Sequence, residues 1–363
     1  MTKQNKKSAN DPHPYKSLAD SHYWRQSVSS IEGSDLLGNW QPKFNISKSD
    51  KVITAGSCFA QHIGAWLKNN GFAFYDAEPL PYFVSDDVAA NFGYGIYSAR
   101  YGNQYTPKQM LQTLKRAVGD FDPEDDFWLN KNGKIIDPFR PQVEPNGFES
   151  IEHLHQDRAY HYNAVRNAFE NAQVLIFTLG LTECWQSTID GAVFPVCPGV
   201  IGGEYNTENY NFNNLSIDET RLDLEHLIEA LGSINPELKI ILTVSPVPLV
   251  ATFDGDHVLT ASSYSKSVLR VACEEIANKH NHILYFPSYE IITGPQAPDY
   301  FADDKRSVTM QGVQQVMRIF AKTLAELNAQ NIEENSEKTH SDAYLQKIEK
   351  AISHLCDEEV LAR

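Results

Sequence analysis

Cysteine is scarce in this 363-residue chain. The five, Cys58, Cys184, Cys197, Cys273 and Cys356, are odd in number and nowhere in CxxC spacing. That pattern excludes a disulfide framework and a cysteine-based zinc site, and it points to reduced thiols. Basic residues are outnumbered 31 to 47, giving a formal net charge of -16, and no run of four Lys/Arg occurs. Nucleic acids and anionic membrane surfaces need clustered positive charge, so both are excluded as partners. No segment approaches the roughly 20 apolar residues of a membrane span. The opening MTKQNKKSANDPHPYKS has no apolar core of a secretory signal. A soluble cytoplasmic protein is expected. A GxGxxG turn and a P-loop lysine are also missing, which argues against a nucleotide-binding Rossmann domain. Nothing calls for a metal or a cofactor.

Apolar, β-branched runs are present at KVITAG (51–56), VLIFTLG (174–180), KIILTVSP (239–246) and HILYFPS (282–288). None alternates with polar residues, so each suits a strand buried on both faces, as in a parallel sheet. Helical patterns lie between them, and a last one spans Gln311–Leu327. Strand and helix in alternation predict βαβ units and an α/β class fold, a three-layer α/β/α sandwich with a mainly parallel sheet. Two aromatic-rich, Gly/Pro-rich segments, 74–150 and 184–214, break the rhythm and read as loop-rich insertions walling a pocket. Residues 1–43 form an N-terminal extension and 44–327 the α/β domain. Residues 328–363 form an acidic linker followed by a helix near Ala343–Leu361.

The stretch VITAGSCFAQHIGAWL (52–67) places Ser57 and Cys58 where the first strand turns into a helix. In open α/β sheets that carboxyl edge is where ligands bind. A hydroxyl there, beside the electropositive start of a helix, has two uses. It is either a nucleophile whose oxyanion the helix start stabilises, or a cap for the helix N–H groups. Cys58, one residue further on, reads as a small buried side chain.

GSCFA (56–60), TLGLTE (178–183), SPVP (245–248), YSKSVLR (264–270) and YFPSYEI (285–291), in that order, resemble the GSCFA family, which is similar in turn to the SGNH/GDSL hydrolases. The resemblance spans about 44–320. It implies an SGNH-like sheet topology, with Ser57 as nucleophile and its amide as an oxyanion donor. It implies Gly102 as the second donor, with Asn103 beside it, and Thr182 where the hydrolases keep an asparagine amide. Asp304 falls on the acidic residue of the Asp-x-x-His block. The histidine of that block is replaced by Ser307, so the general base has to come from elsewhere.

His257 lies in the connection leaving the third strand run, beside Asp254 and Asp256, and is the main candidate for the base. A solvated Asp-Gly-Asp turn is the alternative. His62 is read as a packing residue, His153 and His155 as loop surface, and His280 and His282 as lying at the sheet's other edge. Lys266 is a second candidate, since a Ser/Lys pair is a known means of activating a nucleophile. Arg306 is read as either an anion clamp or a surface ion pair. Glu183 and Cys184 frame the pocket floor.

The expected function is therefore a serine ester hydrolase or O-acyltransferase. Its catalytic residues are Ser57, His257 and Asp304, its oxyanion donors Ser57, Gly102 and Thr182, and its ligand contacts Asn103, Glu183, Arg306 and Lys266. Tyr94, Tyr97, Tyr101, Tyr105 and Trp128 suit stacking on a sugar, or else packing of the insertion against the core; the expected partner is a small-molecule or glycan ester. The rival expectation is a scaffold without catalysis that binds an anionic or glycan ligand.

Overall fold

The computed structural model describes residues 13–31, 35–38, 40–82, 85, 89–295, 299–325 and 360–361. The acidic linker and all but the end of the expected C-terminal helix lie outside these. The regular elements run β1 (Val52–Gly56), α1 (Phe59–Asn69), α2 (Pro107–Val118), β2 (Trp128–Leu129), β3 (Ile135–Ile136), α3 (Ile151–Asn171), β4 (Val174–Leu179), β5 (Glu183–Ser187). There follow β6 (Val193–Phe194), β7 (Tyr210–Asn214), α4 (Ile217–Ile234), β8 (Lys239–Val244), α5 (Val258–Lys279), β9 (Ile283–Tyr285), α6 (Ser288–Thr293) and α7 (Met310–Thr323).

All four apolar runs become strands, and they pair in parallel in the order β1-β4-β8-β9. Because side chains alternate across a strand, each run supplies two cores. Ile53, Leu175 and Leu242 face one side, where α2, α3, α4 and α5 pack with Met110, Phe169, Leu224 and Leu269. Val52, Ile176 and Ile241 face the other, against Ile63 and Leu67 of α1 and Val316 and Phe320 of α7. The molecule is thus a three-layer α/β/α sandwich.

After α1 the chain returns to the outer edge of β1, where Val52 bridges Phe74 in parallel and the Tyr75 N–H donates to the Val52 carbonyl at 2.8 Å. The next strand, β4, is laid on the opposite side of β1. The order of winding therefore reverses at β1, and the carboxyl ends of β1 and β4 flank the crevice that such a reversal opens.

The two insertions carry more regular structure than their composition suggests. Residues 184–214 form an antiparallel sheet in the order β6-β5-β7. Within 74–150 lies α2, whose start and stop signals are all present. The Thr106 hydroxyl accepts from the Gln109 N–H at 3.1 Å, Pro107 opens the helix and Gly119 closes it at φ 84°. A buried ionic cluster ties this insertion to α3. Arg100 and Arg140 both reach Asp157 at 2.8 Å, Arg140 also reaches Asp137 at 3.0 Å, and His161 Nδ1 lies 2.8 Å from Glu78.

The expected sugar-stacking aromatics are part of this packing. Tyr97, Tyr101, Tyr105 and Trp128 are buried, and Tyr94 lies under the Arg100 guanidinium at 4.3 Å. Tyr97, Tyr101 and Trp128 are taken up by packing, whereas Tyr105 also borders the crevice beside Ser57.

Candidate active site

Gly56, the last residue of β1, adopts φ 136°. A Cβ there would lie 2.3 Å from the Thr178 carbonyl oxygen and 2.7 Å from its nitrogen. Only glycine lets β1 approach β4 this closely and turn sharply, and the turn delivers Ser57 to the carboxyl edge. The next residue, Cys58, sits at the N-cap of α1 and makes no side-chain cap. Ser57 does not cap the helix either. Its Oγ is buried and has no hydrogen-bond partner, and the residue is only 2% exposed. Leaving a hydroxyl in this condition costs about 1–3 kcal/mol, which marks the position as one held for something other than stability.

The Ser57 hydroxyl opens into a narrow crevice with room for little more than a water-sized molecule, lined by Tyr105, Gly180, Leu181, Ser245, Leu249 and Lys266, among others. Gly180 keeps it open, since a Cβ there would stand 3.1 Å from Ser57 Cβ and 2.7 Å from the Tyr105 ring. Lys266 reaches the crevice from the third turn of α5. It is 4% exposed, and its amine donates to the Gly180 carbonyl. A buried serine hydroxyl and a buried primary amine thus line one small space, with the N-terminal end of α1 beside them.

A second layer holds the turn in place. The Tyr97 hydroxyl lies 2.6 Å from Asn103 Oδ1 and 3.2 Å from the Ser57 carbonyl oxygen, and the Gln61 amide donates to it at 3.2 Å. Gln104 N–H donates to the Gly56 carbonyl, and Gly180 N–H to the Tyr105 carbonyl, at 2.9 and 2.8 Å. Asn103, expected as a ligand contact, is not among the crevice residues and instead supports the turn through Tyr97.

Several other expected residues lie elsewhere. His257 does not line the crevice. It is the exposed N-cap of α5, where its Nδ1 accepts from the Leu259 N–H at 3.2 Å. The helix start recruited the imidazole as a cap, while Asp254 instead accepts from the Asn214 amide at 2.7 Å. The Thr182 hydroxyl donates to Asn214 Oδ1 at 2.6 Å, and its N–H donates to Ser265 Oγ at 2.9 Å. The Ser57 N–H donates to the Thr178 carbonyl at 2.9 Å, so the β1–β4 ladder uses the amide expected in the oxyanion hole. Gly102, at φ 68°, occupies the turn before Asn103 and is not among the crevice residues.

Asp304 organises its own exposed turn, accepting from the Ser307 hydroxyl at 2.6 Å and from the Arg306 and Ser307 N–H groups at 2.9 Å each. Partial burial works against its charge, but these donors hold its carboxyl below the ordinary carboxylate value. Arg306 Nε donates to the Pro248 carbonyl at 3.0 Å, so it braces the segment that carries the crevice residues Val247 and Leu249. His62 is a packing residue, edge-on to Phe59 at 5.6 Å, and burial pushes its pKa down to about 4.

Glu183 lies in an adjoining cavity. Its carboxylate accepts from the Thr252 hydroxyl at 2.5 Å and the Phe253 N–H at 3.3 Å, and burial raises its pKa. Two thiols share that cavity, and burial pushes Cys184 up to about 12 and Cys197 up to about 11. Neither is a thiolate nucleophile at neutral pH.

Fold and site together define an α/β/α sandwich with a serine presented on the β1–α1 turn, at the point where the winding of the sheet reverses. The family model of the GSCFA family matches residues 51–320, and the chain belongs to the GSCFA family. Among curated proteins, none matches it. Among the described residues, no helix is long and apolar enough to cross a membrane.

Proposed function

We propose that the protein is a serine-dependent ester hydrolase or O-acyltransferase that works through a Ser57 acyl-enzyme, with Lys266 as the general base. The observation that carries this reading is the unpartnered, buried Ser57 Oγ in the same crevice as the Lys266 amine. The Lys266 amine, in its neutral form, takes the Ser57 proton as Oγ attacks the ester carbonyl carbon. It returns that proton to the departing alkoxide, so an alcohol leaves and the acyl group stays on Ser57. Water or an acceptor alcohol then takes the acyl group by the same proton path in reverse. The partial positive charge at the start of α1 favours the oxyanion formed in each half.

Lys266 replaces His257 in this scheme because the imidazole is exposed and used as a helix cap. A fluorophosphonate label followed by mass spectrometry tests the reading. Wild type is expected to label on Ser57, and Ser57→Ala not at all. Lys266→Met is expected to label at least about 100-fold more slowly, the usual contribution of a general base, and His257→Ala at the wild-type rate. Absence of label on wild type would leave the chain as a binding protein for a ligand at the same crevice.

A further inference from the structure

Leu181 and Leu249 each line two spaces, the Ser57 crevice and a larger cavity of about 70 Å³ beside it. The second cavity is walled by the insertion sheet, with Trp185, Phe194 and Phe212 supplying aromatic surface and Val196 aliphatic surface. Among the described residues no cationic side chain lines it, so none of them would hold a phosphate or carboxylate there. Among the described residues its carboxylate is Glu183, which already accepts from Thr252 and Phe253, and the thiols of Cys184 and Cys197 are neutral. Leu361 closes part of the rim.

We propose that this cavity is the acyl subsite, and that it selects esters of short, uncharged fatty acids of about four carbons. The proposal rests on the Ser57 acyl-enzyme read above. The acyl group is the part of the substrate that stays bonded to Ser57 after the alcohol departs, so it needs a space contiguous with Oγ. The alcohol needs a way out. Leu181 and Leu249, which line both spaces, mark where the two adjoin. Size sets the chain length, because a purely apolar void of about 150 Å³ accepts benzene, and a space half as large suits a butyryl rather than a long acyl tail. The lining decides the chemistry, as an apolar wall rewards each methylene and rejects an ionised or heavily hydroxylated group.

The test uses the full chain with p-nitrophenyl esters from acetyl to decanoyl, alongside a methyl fluorophosphonate that needs no acyl subsite. The value of kcat/KM is expected to rise about fourfold per methylene to about four carbons and then to fall. Ala251 and Leu361 both line the cavity and are exposed, so the fold tolerates changes at them. Ala251→Trp narrows the space and is expected to lower the butyryl-to-acetyl ratio at least tenfold. Leu361→Ala widens it and moves the optimum to longer chains. A Ser57 that labels with methyl fluorophosphonate while both variants keep the wild-type chain-length profile overturns the acyl subsite and leaves the serine reading standing. A Ser57 that never labels overturns both.

Discussion

A side chain at position 56 would collide with the backbone of Thr178, a neighbour that cannot rotate away as a flexible side chain would. Gly56→Ala is therefore expected to separate β1 from β4 and to lose more than about 3 kcal/mol of stability, or to yield insoluble protein, in a urea titration. The neighbouring residue behaves in the opposite sense. Ser57 keeps a hydroxyl that no protein atom satisfies, so Ser57→Ala is expected to raise the unfolding free energy by about 1 kcal/mol while abolishing labelling. A loss of stability in that variant would mean that Oγ is hydrogen-bonded after all.

Among the elements, α1 follows the serine turn and carries a titrating group. His62 has its pKa lowered from 6.5 to about 4 by burial. The unfolded chain therefore binds a proton first as the pH falls, and the contribution of neutral His62 is complete above about pH 6.5 and lost on the way down to about pH 4. Unfolding free energy measured across that window is expected to fall by up to about 3 kcal/mol from this residue, and His62→Phe to flatten the slope. Helix α4 provides a contrast remote from the site. Ser216 and Glu219 form a reciprocal cap at its start, and Ser216→Ala is expected to cost about 1 kcal/mol in the same titration with labelling unchanged.

The whole molecule depends on the buried ionic cluster that fastens the first insertion to α3. Burial opposes the charges on Glu78, Asp137 and Asp157, yet the arginines around them, with His161 at Glu78, hold all three below their ordinary values. Groups shifted down stabilise the fold above their unfolded pKa, about 4, and lose that contribution as the pH falls further. Asp125 and Asp223, raised by burial, work in the opposite sense. The paired groups are the more deeply buried, so a steep loss of structure below about pH 4 is expected by circular dichroism. Asp157→Asn, which leaves Arg100 and Arg140 without a shared partner, is expected to lose about 3–5 kcal/mol at pH 7.

Local chemistry was enough to read the strands, the sandwich and the serine turn. Unbroken apolar runs such as VLIFTL have only one comfortable place, a strand covered on both faces, and the Gly-Ser-Cys turn follows from the φ that Gly56 alone adopts. Helix α2 was not read from the sequence: Thr106, Pro107 and Gly119 supply its start and stop signals, but the Gly/Pro-rich composition around them suggests loop. Which of the two candidate side chains reaches the Ser57 crevice was another matter. His257 and Lys266 stand nine residues apart at the start of one helix, and nothing in their spacing tells which is solvated and which is turned inward. Packing of α5 against β8 and β9 decided it, by burying the face that carries Lys266 and leaving the N-cap in water. The fate of the insertion aromatics was settled in the same way, since only three-dimensional contacts determine whether a tyrosine ring meets a ligand or another side chain.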